Sequence, residues 1–329
     1  MMNKCKYTEL IKRMVRVRIT LVVMLSLCLI INAQKIVKLP FGDMEKWQVR
    51  EIKESGIIGG NIKYVYEINE GDTLEGNEPY VNISSAWATS SIMANIVGIY
   101  KSSTTVFPCS REDGGVAAEM VTRLESVKVL GLVNVSALAT GTIFLGSMIE
   151  PIRTIKNPMS TMCHNVEFIY EPTTIIFDYK FINGNEGKRV MDSSLKSRDL
   201  EGKNAAEVVL LIQHRWEDES GKIYAKRVAT GYERYYDDQK DWKNCERVEI
   251  RYGDIRQRPD FEDYMDLVVE DPYYTLNSKG EMVPIHEIDW ANSNEKPTHI
   301  IFKFSSGYGG AYIGAPGSKL WVDNVSLEL

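Results

Sequence analysis

Cysteine, histidine and proline are all scarce in this chain, and each shortage closes a route to function. Of five cysteines in 329 residues, only Cys109, Cys163 and Cys245 lie beyond the N-terminal leader described below, and no two have CxxC spacing. That excludes a zinc ribbon and allows at most one internal disulfide, with buried reduced thiols the more ordinary reading. His164, His214, His286 and His299 are scattered, and the chain has no HExxH, no GxSxG elbow and no GxxxxGK[ST] loop. The glycine cluster Gly307-Tyr308-Gly309-Gly310 is followed by no crossover helix, so it is not a dinucleotide fingerprint. Neither an internal repeat nor a Pro/Ser-rich linker divides the sequence, so residues 34–329 are expected to form a single domain.

Long apolar runs are also missing, with one exception. Ile19 to Ile31 follows the basic stretch Lys12, Arg13, Arg16 and Arg18 and precedes Asn32-Ala33, the pattern of a secretory signal over residues 1–33. The run is too short to span a bilayer, and no later segment approaches the length of a membrane helix. An exported protein of the periplasm or cell surface is expected. A lipid anchor at Cys28 is disfavoured, because Leu29, Ile30 and Ile31 continue the apolar run past that cysteine. Cleavage takes the net charge from -6 to about -11, which argues against nucleic acid as a partner.

What the chain has in quantity is alternation. Ile62–Ile68, Thr173–Phe181, Glu207–Trp216, Arg247–Tyr252 and His299–Phe304 read as strands, and Glu207–Trp216 is apolar enough on both faces to be covered on each side. The C-terminal segment Gly317–Leu327 alternates too, with Trp321, Asp323, Val325 and Leu327 on one face and Leu320, Val322, Asn324 and Ser326 on the other. Helix signals are weak and confined to Val116–Val127, equally readable as a buried strand, and Asp260–Val268. Asn183–Asn204 reads as a loop or hairpin end and Arg256–Pro297 as a long decorated connection. These patterns predict an all-β, jelly-roll-type antiparallel sandwich with long loop insertions, in which the N-terminal region 34–83 packs onto the rest.

Three sets of candidate site residues follow. An acid on an inward-leaning face needs a partner, and in many sugar-binding sandwiches that partner is a structural calcium. Asp43 and Glu45, in the turn Phe41-Gly42-Asp43-Met44-Glu45, and Asp323 would supply its ligands; the alternative is that Asp323 is an exposed, turn-flanking acid. Catalysis by a carboxylate pair would most readily use Glu119 or Asp178, acids in apolar surroundings, although an outward-facing structural role is the simpler account of each. Sugar recognition requires flat aromatic faces beside polar groups, and Trp87, Tyr232, Trp242, Tyr308 and Tyr312 stand next to Gly, Ser, Thr or Asp rather than within apolar strands.

Four blocks carry a family pattern: Ser84–Thr89, Gly114–Met120, Leu138–Gly146, and Ile300–Gly310 leading through Gly314–Ser318 into Leu320–Val325. Together they resemble the putative carbohydrate metabolism domain family of secreted Bacteroidetes proteins over about residues 84–329. The C-terminal block is the most specific of the four. The resemblance implies a jelly-roll or galactose-binding-like sandwich outside the cytoplasm, some of whose relatives are labelled glycoside hydrolases, and it carries over no catalytic residue. Val166–Glu171 departs from the Tyr-Tyr-Lys-Tyr-like strand expected in the middle of the family. The sequence therefore predicts an exported protein that binds an oligo- or polysaccharide without cleaving it, with a glycoside hydrolase and a surface adhesion module as the two alternatives.

Overall fold

A computed structural model describes residues 35–129, 133–154, 156–193 and 196–329. The signal segment 1–33 and Cys28 lie outside the described residues. About 54% of the structure is strand, and among the described residues no helix reaches seven residues, so the fold is an all-β sandwich. Residues Val37–Leu329 make up one compact unit.

Two sheets form the sandwich. The smaller runs in the order Gln239–Glu249, Thr174–Ile182, Lys319–Glu328, Val116–Val121, Val106–Ser110. The larger is built around Met282–Trp290, Ile223–Tyr235, Ala206–Glu217, His299–Ser305, Thr142–Leu145 and Trp87–Thr89, in that order. Their facing sides meet in one apolar core. Ile175, Phe177, Phe181, Leu320 and Val322 from the smaller sheet pack against Val208, Leu210, Ile212, Ile300, Phe302 and Phe304 from the larger, and the Phe177 and Phe304 rings meet edge to face at 5.0 Å. At a period of two, the same strands must present Glu207, Val209 and Leu211, and Ile301, Lys303 and Ser305, on the opposite side of the large sheet. There Val209, Leu211 and Ile301 join a second cluster with Ile223, Ala225 and Ile285.

The C-terminal strand departs from strict alternation. Asn324 adopts a left-handed φ of 53°, and the pairing with Thr174–Ile182 slips between Asp323 and Ser326. This bulge turns Val325 and Leu327 to the same side as Leu320 and Val322, so all four enter the core. The bulged backbone also receives the N-terminal turn, with the Val325 N–H donating to the Gly42 carbonyl at 2.8 Å. Glycine is required at position 42, because a Cβ there would lie 2.5 Å from the Val325 carbonyl oxygen.

The two weak helix expectations resolve as other structure. Val116–Val121 and Arg123–Val129 are strands, and Asp260–Val268 contains only the short 3-10 turn Asp263–Met265. The connection 256–297 is more than decoration, since its strands Tyr274–Leu276 and Met282–Trp290 extend the large sheet. Met282–Trp290 runs parallel to Ile223–Tyr235, so the sandwich is not wholly antiparallel. Asn183–Asn204 is a hairpin of Lys188–Ser193 and Lys196–Lys203, joined at its edge by Ile313–Gly314. Cys109, Cys163 and Cys245 are free thiols.

Candidate functional site

The outer side of the large sheet carries a cleft whose floor is charged. Glu207, on the central strand, is only 3% exposed. Its carboxylate accepts from Lys303 Nζ at 2.6 Å on the neighbouring strand and from the Tyr232 hydroxyl at 2.7 Å. Arg234 Nε lies 3.4 Å from the same carboxylate, and Arg234 Nη2 donates to the Tyr232 hydroxyl at 3.1 Å. Strand pairing brings these groups together: Glu207 lies opposite Arg234 on one side and Ser305 on the other, and Lys303 is two residues from Ser305.

Burial alone would raise the Glu207 carboxyl, but Lys303 and Arg234 outweigh it and hold the group below the usual glutamate range. The reciprocal holds for Lys303, where burial would lower the ammonium and Glu207 raises it. Burial pushes the Tyr232 phenol well above its ordinary value, so it remains an O–H donor. The floor is thus an ionised, hydrogen-bonded pair, the form in which buried charge is tolerated.

Arg234 is held in a cage of tyrosines. Its guanidinium carbon lies 4.1 Å from the ring centre of Tyr264, 4.1 Å from that of Tyr308 and 5.4 Å from that of Tyr232. Arg189 lies against the Tyr308 ring as well, at 3.9 Å, and the Tyr308 hydroxyl donates to the Lys203 carbonyl at 3.0 Å. The planar cation is therefore presented in one orientation at the cleft.

The space above this floor has two adjoining halves. A polar half of about 230 Å³ is lined by His164, Glu207, Tyr232, Arg234, Tyr264, Asp271 and Lys303, among others. An apolar half of about 220 Å³ is lined chiefly by Ala94, Leu138, Met148, Ile152, Met159 and Met162. Met159, Glu207, Lys303 and Gly310 belong to both. Gly310, with a φ of 92° in the Gly307–Gly310 turn, would bring a Cβ to 3.8 Å from an Asp271 carboxylate oxygen, so that glycine and that acid lie side by side at the polar half.

A second buried network holds the cleft wall in place. Glu287 accepts from Arg227 Nε at 2.7 Å, from Gln213 Nε2 at 2.5 Å and from the Val268 backbone N–H at 2.8 Å. This ties the segment carrying Tyr264, Asp271 and Tyr273 to the sheet. Arg215 continues the chain, donating to Gln213 Oε1 at 2.6 Å and to the His164 carbonyl at 2.5 Å. The His164 imidazole is pushed down to about 3 by burial and then by the positive charges of Arg215 and Lys303. It stays neutral between the Phe144 and Tyr273 rings, each 5.0 Å away. One ring nitrogen leans toward the Leu145 carbonyl without closing a well-aligned hydrogen bond.

The residues singled out from the sequence scatter over the molecule. Tyr232 lines the polar half and Tyr308 and Tyr312 the apolar half. Trp87 is elsewhere: it is 0% exposed in the sandwich core, packed on Phe302, and its indole N–H donates to the Pro40 carbonyl at 3.1 Å, so it offers no face to a ligand. Trp242 belongs to the smaller sheet, where Arg111 covers its ring at 4.1 Å. Both acids considered for catalysis lie on that sheet and are engaged. Glu119 accepts from Lys319 Nζ at 2.8 Å, and Asp178 from Arg111 Nη1 at 3.0 Å and the Cys245 N–H at 2.8 Å.

The partner of Asp323 is Arg111, whose Nη1 donates to it at 2.7 Å. Asp43 and Glu45 are exposed, and Glu45 accepts instead from the Val116 N–H at 3.1 Å. A cation therefore fits poorly here: the guanidinium already neutralises the buried acid, and the three acids do not converge. Glu207, Lys303 and Arg234 were not picked out from the sequence. The available signal was a charge on each of three strands, on a face that the apolar pattern marks as covered.

The family described as "Putative carbohydrate metabolism domain" matches residues 63–328. The chain belongs to this family. Solved structures similar to this putative carbohydrate metabolism domain protein include one titled a putative glycoside hydrolase from Bacteroides thetaiotaomicron, with 16% identity, a TM-score of 0.46, and 85% of this chain and 70% of that one covered. Another, titled a putative glycoside hydrolase from Bacteroides vulgatus, has 13% identity, a TM-score of 0.40, and 89% and 95% coverage. No curated protein matches. Among the described residues no helix is long and apolar enough to cross a membrane.

Proposed function

We propose that this protein binds a glycan in the cleft on the outer side of its large sheet, without cleaving it. The observation that carries the reading is the arrangement of Glu207, Lys303 and Arg234, in which charged donors and an acceptor are fixed before any ligand arrives. Sugar hydroxyls are bidentate partners, able to give one hydrogen bond and take another, and preorganised charged groups serve them without an added ordering cost. Contact by hydrogen bonding replaces the tryptophan stacking expected from sequence, because Trp87 is sealed in the core and the Trp242 ring is covered by Arg111.

Binding without hydrolysis fits the state of Glu207. A general acid needs its proton near neutral pH, whereas this carboxyl is held ionised by two cations and a phenol. Membership of a carbohydrate-related family supports the ligand class. Export to the periplasm or cell surface completes the proposal, since glycans are met there.

A glycan array probed with the mature chain tests this reading. Binding to a subset of glycans is expected, lost in Asp271→Asn and retained in Trp242→Ala. A blank array, binding unaffected by Asp271→Asn, or release of reducing ends from a bound glycan would each overturn it.

A further inference from the structure

The two halves of the cleft differ in chemistry, and a neutral sugar satisfies only one of them. The polar half offers Glu207, Arg234, Asp271 and Lys303. The apolar half offers Leu138, Ile152, three methionine side chains and small residues, and is about 220 Å³ in volume. A dry cavity of roughly 150 Å³ accommodates benzene, so this half is large enough for a substituted aromatic ring. Its methionines, Met148, Met159 and Met162, decide between ring and alkyl chain. Thioethers are polarisable, adapt their rotamers and make favourable sulfur contacts with ring edges. Because Glu207 and Lys303 border both halves, a single molecule can span them, with hydroxyls on one side of that pair and a ring on the other.

We propose that the ligand is a glycan carrying an aromatic substituent, with the ring in the Met148, Met159 and Met162 half and the sugar in the Glu207, Lys303 and Arg234 half. This rests on the glycan-binding reading and narrows its ligand class. The aryl group supplies more apolar burial than a hydroxyl-bearing pyranose alone, and the charged floor fixes the direction in which the ligand lies.

The test compares p-nitrophenyl glycosides of the common neutral sugars with the matching methyl glycosides, and with p-nitrophenol alone, by isothermal titration calorimetry on the mature chain. For any sugar that binds, the aryl glycoside is expected to bind about tenfold tighter or more than its methyl counterpart, from the added apolar burial. Ala137→Phe fills the apolar half, and the aryl advantage is expected to vanish there. Ala94→Phe fills it from another strand, should the first variant melt early. Equal affinity for aryl and methyl glycosides, or an aryl advantage that survives both filling variants, overturns the proposal. If p-nitrophenol binds and Ala137→Phe expels it while no attached sugar adds affinity, the aromatic site stands and the glycan reading falls. If methyl glycosides bind and the matching aryl glycosides bind no tighter, the glycan reading stands and the aromatic site falls.

Discussion

Lys303 Nζ lies 2.6 Å from Glu207 Oε1, and this contact marks the border between the charged and apolar halves of the cleft. Both groups are nearly sealed from solvent, so removing one strands the other. Glu207→Gln or Lys303→Met is expected to cost about 3–5 kcal/mol, and the double variant much less than the sum. Glu207 also sets a pH signature. Its folded pKa is depressed, so its contribution is present above the unfolded glutamate value of about 4.3 and lost as pH falls through the folded one. The melting-temperature gap between wild type and Glu207→Gln should therefore close below about pH 4. A gap constant from pH 7 to pH 3 would contradict the ion pair.

On the smaller sheet Arg111 is the partner of both Asp178, at 3.0 Å, and Asp323, at 2.7 Å. Burial raises the Asp323 carboxyl, and Arg111 opposes that shift while Asp178 adds to it. Arg111→Ala is thus expected to cost about 3 kcal/mol at pH 7 and clearly less near pH 4, where protonation of the raised Asp323 carboxyl relieves its repulsion. A chelator should leave the melting temperature of the wild type unchanged. If a chelator lowers it, a cation rather than Arg111 holds Asp323.

His164 predicts an acid-sensitive step. Its imidazole is held down to about 3 by burial, with Arg215 and Lys303 adding to the effect. The unfolded chain takes up that proton near pH 6.5 and the folded chain does not, so stability is full above that value and falls as the pH drops toward 3. By pH 4 the loss from this residue should reach roughly 3 kcal/mol. Replacement by Phe, which suits a site between Phe144 and Tyr273, should flatten the decline in a series of urea melts from pH 7 to pH 4. An unchanged slope in His164→Phe would assign the decline to other groups, among them His299, itself pushed down to about 4.

The strands were legible because alternation is a local signal. Glu207–Trp216, read as covered on both faces, turns Val208, Leu210 and Ile212 into the sandwich core and Val209 and Leu211 into the cluster on which Val268 and Tyr273 pack. What alternation cannot carry is a bulge. Asn324 is a residue type that tolerates the left-handed region, but it stands inside an otherwise regular alternation, and its backbone returns Val325 and Leu327 to the core side and reverses the face assigned to them. The partner of Asp323 was out of reach for a related reason, since Arg111 lies more than two hundred residues away in sequence. The cleft was legible only in part. Tyr232 and Tyr308 stood out by composition, whereas Glu207, Lys303 and Arg234 converge through cross-strand register, which depends on the whole sheet.

The cage around Arg234 allows charge to be separated from shape. Arg234→Lys keeps the cation near Glu207 but gives up the flat guanidinium that lies 4.1 Å from both Tyr264 and Tyr308. A lysine ammonium is compact and strongly hydrated and cannot present two parallel donors, so the variant should remain folded while losing orientation at the cleft. Affinity for an array-selected glycan is expected to fall about tenfold or more, with a melting temperature within a few degrees of wild type. Tyr264→Phe retains the ring and its face, and should bind as wild type does. If Arg234→Lys binds normally, only the positive charge matters and the tyrosines serve stability alone. If Tyr264→Phe loses binding as severely as Arg234→Lys, the phenol itself contacts the sugar and the cage is part of the binding surface.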